Sequence, residues 1–228
     1  MTKVAIIGGH GKIALNAARL LSARGDEVTS IIRNADQAAD IVATGAHPLV
    51  LDVEHAGMQE VADALRGADA VVWSAGAGGG DAARTYAVDR DAAIESMAAA
   101  ARAGVRRYVM VSYFGAGPDH GVPQDNSFYA YAEAKTAADA ALRATDLEWT
   151  ILRPSRLTDE PTAGGIEVNS TQTPIDKGSV RRSTVAEVIA ATLVAPAAVG
   201  AIVEFNDGTS PIADALSALE TTTEGTRA

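Results

Sequence analysis

The chain has 228 residues, 47% of them hydrophobic and 21% charged, a balance that predicts an ordered globular protein of one domain spanning residues 1–228 and argues against a disordered one. Its 29 acidic and 19 basic residues leave a net charge of −10 without a basic stripe, so no nucleic-acid partner is expected, and no apolar run reaches the roughly eighteen residues that a membrane span needs. Cysteine is absent, which excludes disulfides, thiolate catalysis and cysteine-based metal sites and is compatible with a cytoplasmic location.

Short apolar runs alternate with longer alanine-rich segments. "VAIIG" (4–8) reads as a buried strand, and "KIALNAARLLSARG" (12–25) as a helix stopped by Gly25. "EVTSIIR" (27–33) is the second strand, a short helix falls at 35–43, and "HPLVLD" (47–52) is the third strand. A helix at 57–66 leads to the fourth strand, "DAVVWSA" (69–75), and a long helix at 83–103 leads to the fifth, "RRYVMVS" (106–112). The next helix covers 128–145, and Pro154 stops the sixth strand, "EWTILRP" (148–154). Beyond it, 155–178 is loop-like with one short strand at 165–169, followed by a helix at 183–195, a strand at 201–206 and a short helix at 211–219. The tail, 221–228, has no apolar anchor and is expected to fray. Near-continuous apolar strands separated by helices predict an α/β fold, a doubly wound parallel sheet of the Rossmann type, with a small C-terminal substrate region drawn mainly from 155–219. Trp73 and Trp149 fall in predicted strands and read as core.

"GGHGKIA" (8–14) stands between the first strand and the first helix and gives Gly8-x-x-Gly11-x-x-Ala14. Glycines allow a tight turn and let a pyrophosphate approach the backbone, while the helix start supplies free N–H groups and the positive end of its dipole. Gly8, His10, Gly11, Lys12 and Ile13 are therefore candidate cofactor residues; His10 either touches phosphate or faces solvent. An acidic residue after the second strand would hydrogen-bond the ribose of NAD, but here Arg33 and Asn34 occupy that place. A guanidinium suits a 2′-phosphate, so NADP is favoured over NAD, with Lys12 adding charge. Asp52 and Val53 end the third strand; placed beside the first strand, they would meet the adenine amine and ring, although a turn or N-cap aspartate explains Asp52 equally well. Ser74, Ala75 and Gly76 are small enough to let the cofactor cross the sheet edge, whereas Gly78 to Gly80 read as a flexible loop.

Together "IIGGHGKIA", "IIRN", "LVLD", "YVMVS", "YAEAK" and "TILRPSRLTDEP" resemble the short-chain dehydrogenase/reductase superfamily over nearly the whole chain. The pattern is closest to its atypical NAD(P)H-binding branch, which includes NmrA-like and flavin-reductase-like proteins. The resemblance implies that Pro154, Ser155 and Leu157 lie near the nicotinamide, and that Ser112, Tyr131 and Lys135 correspond to the superfamily's catalytic serine, tyrosine and lysine. Where typical members carry an asparagine-rich motif after strand four, this chain has "SAGA". Members of the branch that bind cofactor without turnover make fold and activity separate questions.

Helical spacing of four puts Tyr131 and Lys135 on one face. An ammonium beside the phenol is expected to lower its pKa from about 10. Ser112 would orient a carbonyl, and Tyr131 would donate the proton as hydride arrives. Tyr129 points about 200° away and cannot share the face of Lys135, while Tyr113 could line the pocket. His47, His55 and His120 show no metal-ligand spacing, so no metal site is expected. Arg153 suits an ion pair or a substrate contact equally. The expected function is an NADP-dependent oxidoreductase acting on a small carbonyl, quinone or flavin-like molecule, as a monomer or homodimer. Its rivals are a non-catalytic NADP(H)-binding regulator and a sugar-nucleotide epimerase or dehydratase, for which the short C-terminal region leaves little room.

Overall fold

The computed structural model describes residues 1–78, 81–160 and 164–219. Gly79 and Gly80 of the glycine run, Pro161 of the "LTDEP" match and the tail expected to fray lie outside them. The central sheet is built from β1 (Lys3–Ile7), β2 (Glu27–Ile32), β3 (His47–Val50), β4 (Ala70–Trp73), β5 (Arg107–Val111), β6 (Glu148–Pro154), β8 (Ile166–Val168) and β10 (Ala201–Asp207). Their order is β3-β2-β1-β4-β5-β6-β10-β8, parallel throughout except for the edge strand β8, which runs antiparallel to β10. This is the doubly wound Rossmann arrangement, and its order reverses between β1 and β4, where a ligand crevice opens.

The strands are apolar because both faces are covered. Val4 and Ile6 of β1 enter one core with Ala14 and Leu21 of α1 (Lys12–Arg24) and Val185 and Ile189 of α7 (Arg182–Thr192). Ala5 and Ile7 enter the opposite core, with Val61 and Leu65 of α3 (Met58–Leu65), Met97 of α5 (Ala93–Ala103) and Tyr108. Side chains alternate across a strand, so one short run supplies both layers. Ala14, Ala17 and Ala18 are fully buried, and their small side chains let α1 lie close on the sheet. The remaining helices are α2 (Ala38–Val42), α4 (Ala82–Thr85), α6 (Tyr129–Arg143) and α8 (Ile212–Ser217). Among the described residues, no helix is long and apolar enough to cross a membrane.

Three expectations need correction. The third strand does not stand beside the first: β3 pairs with β2 at the sheet edge, because successive crossovers carry the chain outward from β1. The long helix expected at 83–103 is divided, with a π-helical segment, Tyr86–Ala92, between α4 and α5. The loop-like region after Pro154 holds, besides β8, two three-residue strands, β7 (Arg156–Thr158) and β9 (Ser179–Arg181), which pair in a separate parallel ribbon. Three residues are too few to display an alternating pattern.

Candidate active site

A cleft of about 340 Å³ opens at the C-terminal ends of β1, β2 and β4. Its floor is the turn after β1. Gly8 has φ of 80° and faces the Ala75 backbone so closely that a Cβ would stand 2.5 Å from Ala75 Cα. Only glycine allows both the conformation and the approach. Gly11 closes the turn by donating its N–H to the Gly8 carbonyl at 3.0 Å, and it starts α1 without a side-chain cap, leaving the helix's first N–H groups available to an anion. Gly8, His10, Gly11, Arg33, Asp52, Val53, Ser74, Ala75 and Gly76 all line the cleft, so the structure gathers these widely separated residues into one place. Arg33 is exposed there and has no ion-pair or hydrogen-bond partner among the described residues. His10 meets Asp40 at 2.7 Å. Asp52 accepts from the Glu54 N–H and meets His55, the local turn role, while also facing the cleft.

The other cofactor candidates sit elsewhere. Lys12 points to Asp159 at 2.6 Å, a carboxylate that Arg182 also holds at 2.8 Å. Ile13 packs into the core, and Asn34 accepts from the Asp36 N–H at the start of a 3-10 turn. Pro154 is paired with Phe205 inside the sheet, Ser155 lies against Asn206 Oδ1 and the Phe205 carbonyl, and Leu157 pairs with Val180; none of them lines the cleft. Asp52, Glu54 and His55, which the spacing gave no reason to group, place three ligand-type atoms within 4.8 Å of one another on the turn after β3.

Ser112 follows β5 and is 3% exposed; it donates to Asp139 Oδ2 at 3.0 Å. Tyr131, Lys135 and Asp139 occupy successive turns of α6 and share one face. Lys135 is 1% exposed and lies under the influence of two carboxylates, Asp89 and Asp139. Asp89 sits in the π-helical segment and is 1% exposed. Its Oδ2 accepts from the Ala77 N–H at 2.9 Å, and its Oδ1 stands where a Gly76 Cβ would come within 3.1 Å. Asp89 thus joins the rim of the cleft to the row on α6. Asp139 is held by Arg153 at 3.0 Å as well as by Ser112, yet its Oδ1 is buried without a partner. Arg153 therefore makes a structural ion pair, extended to Glu204 at 3.2 Å.

Electrostatically the row departs from expectation. Burial pushes the Tyr131 phenol up, and the charges of Asp89 and Asp139 push it further in the same direction, so the lowering expected from Lys135 does not prevail. Burial lowers the Lys135 ammonium, opposed by the same carboxylates. Burial raises Asp89 and Asp139, against the pull of Lys135 on both and of Arg153 on Asp139. Sequence reasoning missed both acids. Asp139 was readable as the next turn after Lys135, whereas a π-helical register hides Asp89 from any regular spacing.

Residues 8–196 match the NAD(P)H-binding family. The chain belongs to that family. The doubly wound sheet is consistent with the resemblance to the atypical branch of the short-chain dehydrogenase/reductase superfamily. This family member is similar to the Bacillus subtilis protein that carries the name "Uncharacterized sugar epimerase YhfK", at 33% identity over 95% of this chain and 100% of that one. Among solved structures, a Bacillus halodurans protein with the provisional name NAD-dependent epimerase/dehydratase superposes with a TM-score of 0.86 at 30% identity, covering 95% of this chain and 99% of that one. The Lactococcus lactis oxidoreductase ylbE superposes with a TM-score of 0.82 at 26% identity, covering 95% and 96%.

Proposed function

We propose that this NAD(P)H-binding protein is an NADP-dependent oxidoreductase that reduces a small carbonyl, quinone or flavin-like acceptor, with Tyr131 as the proton donor. The observation that carries the reading is the row on one face of α6 of partly buried Tyr131 with buried Lys135 and Asp139, linked through Asp89 to the rim of the glycine-floored cleft. The cleft fits the cofactor: the uncapped start of α1 at Gly11 suits a diphosphate against free backbone N–H groups, and the unpartnered Arg33 suits a 2′-phosphate. Asp52 and Val53 would flank the adenine. Bound NADPH supplies the hydride.

Tyr131 holds a proton at Oη across neutral pH, the state that reduction requires and an oxidising or epimerising base does not. It gives that proton to the acceptor oxygen as the hydride reaches the adjoining carbon, and water restores it. Ser112 commits its own proton to Asp139 and so has none free to donate to a carbonyl oxygen. Lys135, desolvated between two carboxylates, positions donors next to Tyr131. The same commitment of Ser112 favours a second reading, a cofactor-binding regulator without turnover.

Following NADPH absorbance with a quinone acceptor decides between them. Tyr131→Phe is expected to lower kcat about a hundredfold or more with NADPH affinity unchanged. Arg33→Ala is expected to weaken NADPH about tenfold and leave NADH unaffected. Full turnover in the phenylalanine variant would remove Tyr131 from the reaction, and equal affinities for both cofactors, unchanged in the alanine variant, would remove the NADP assignment.

A further inference from the structure

Beside the proton donor stands an aromatic platform. The rings of Tyr113, Phe128 and Tyr131 pack on one another with centroid separations of 5.2 Å for Tyr113 and Phe128, 5.6 Å for Tyr113 and Tyr131, and 5.1 Å for Phe128 and Tyr131. Tyr113 is 9% exposed and its hydroxyl is buried without a hydrogen-bond partner. Phe128 is 39% exposed at the start of α6, so the platform is open to solvent on that side. Above it lies Lys177, its ammonium 5.5 Å from the centre of the Tyr113 ring and 5.9 Å from that of Phe128.

The charge balance around the platform is uneven. Glu204 accepts from the Gly115 N–H, Arg153 and Asn169; Glu133 takes His120; Asp139 takes Ser112 and Arg153. Each of these acids is already engaged. Lys177 has no hydrogen bond or ion pair among the described residues. On a chain of net charge −10, a lysine without a counter-ion, held over ring faces next to the proton donor, marks a place kept for a negative charge from outside.

Resting on the reading of Tyr131 as proton donor, we infer that the acceptor is a flat, unsaturated molecule bearing an acidic group, and that Lys177 is the residue that selects that group. The rings take the flat body by offset or edge contact, the Tyr113 hydroxyl supplies a polar atom, and Lys177 meets the acid at the rim. An ion pair at such an exposed rim is modest and is screened by salt.

Naphthoquinone and naphthoquinone-sulfonate share a body and differ in the acid. At low salt the wild type is expected to show a kcat/KM ratio favouring the sulfonate by about fivefold, and Lys177→Met should bring that ratio to about one, with Lys177→Arg keeping it. No preference in the wild type, or a preference that persists in Lys177→Met, overturns the inference. If neither quinone is reduced, the oxidoreductase reading falls, and calorimetric titration of the sulfonate into NADPH-loaded protein still decides this one. Binding that depends on Lys177 upholds it; binding that ignores Lys177, or no binding, overturns it.

Discussion

Removing water from the Tyr131 phenol and setting the carboxylates of Asp89 and Asp139 near it all act against the phenolate. The sign follows directly: each carboxylate repels the negative charge that ionisation would create, so neutralising one of them eases ionisation and lowers the pKa. Asp139→Asn keeps an oxygen for Ser112 and Arg153 while removing the charge. In the wild type, reduction is expected to hold its rate from neutral pH to about pH 10 as far as Tyr131 is concerned, because the phenol stays protonated. In Asp139→Asn the basic limb of the pH profile should move to lower pH. Tyrosinate absorbance, which needs no acceptor and is followed above pH 10, should show one transition moving the same way, and an unmoved transition would separate Asp139 from the ring.

At the scale of elements, the turn from β1 into α1 is the least tolerant part of the site. In Gly8→Ala the new methyl would meet Ala75 Cα at 2.5 Å and Ala75 N at 2.6 Å, with φ at 80°. Both strands β1 and β4 lie in the middle of the sheet and cannot retreat. The variant is expected to lose about 1–3 kcal/mol of stability in a urea titration and to bind NADPH too weakly to measure. This turn was legible in the chain itself, because glycine is the residue that such a turn demands. So were the six main strands, whose apolar runs leave little choice of partner, and the shared face of Tyr131 and Lys135, which follows from helical spacing alone. The position of β3 was not legible, since its neighbour is chosen by crossovers and not by its own residues. Nor was the commitment of Ser112 to Asp139, which brings together residues 27 apart in sequence through the packing of α6 on the sheet. The engagement of Lys12 with Asp159 joins residues 147 apart, and no local pattern encodes it.

Across the whole molecule, the sheet reversal at β1 and β4 lets the N-terminal strands build the glycine-floored cleft while β5, β6, α6 and β10 build the aromatic and ionic side. The two sides meet at Asp89. They meet a second time at the surface, where Asp159, just past β7, is shared by Lys12 from the first helix and Arg182 from the seventh. A diphosphate settling at the start of α1 competes for the same lysine. Asp159→Asn, which weakens that rival claim, is expected to tighten NADPH binding about two- to threefold, read by fluorescence titration. Unchanged affinity would show that Lys12 takes no part in holding the cofactor. The effect should appear as slower departure of the spent nucleotide and not as faster arrival. A carboxylate borrowed from a distant part of the chain would then set how long each molecule of NADP stays bound, and so how soon the protein is ready for the next turnover.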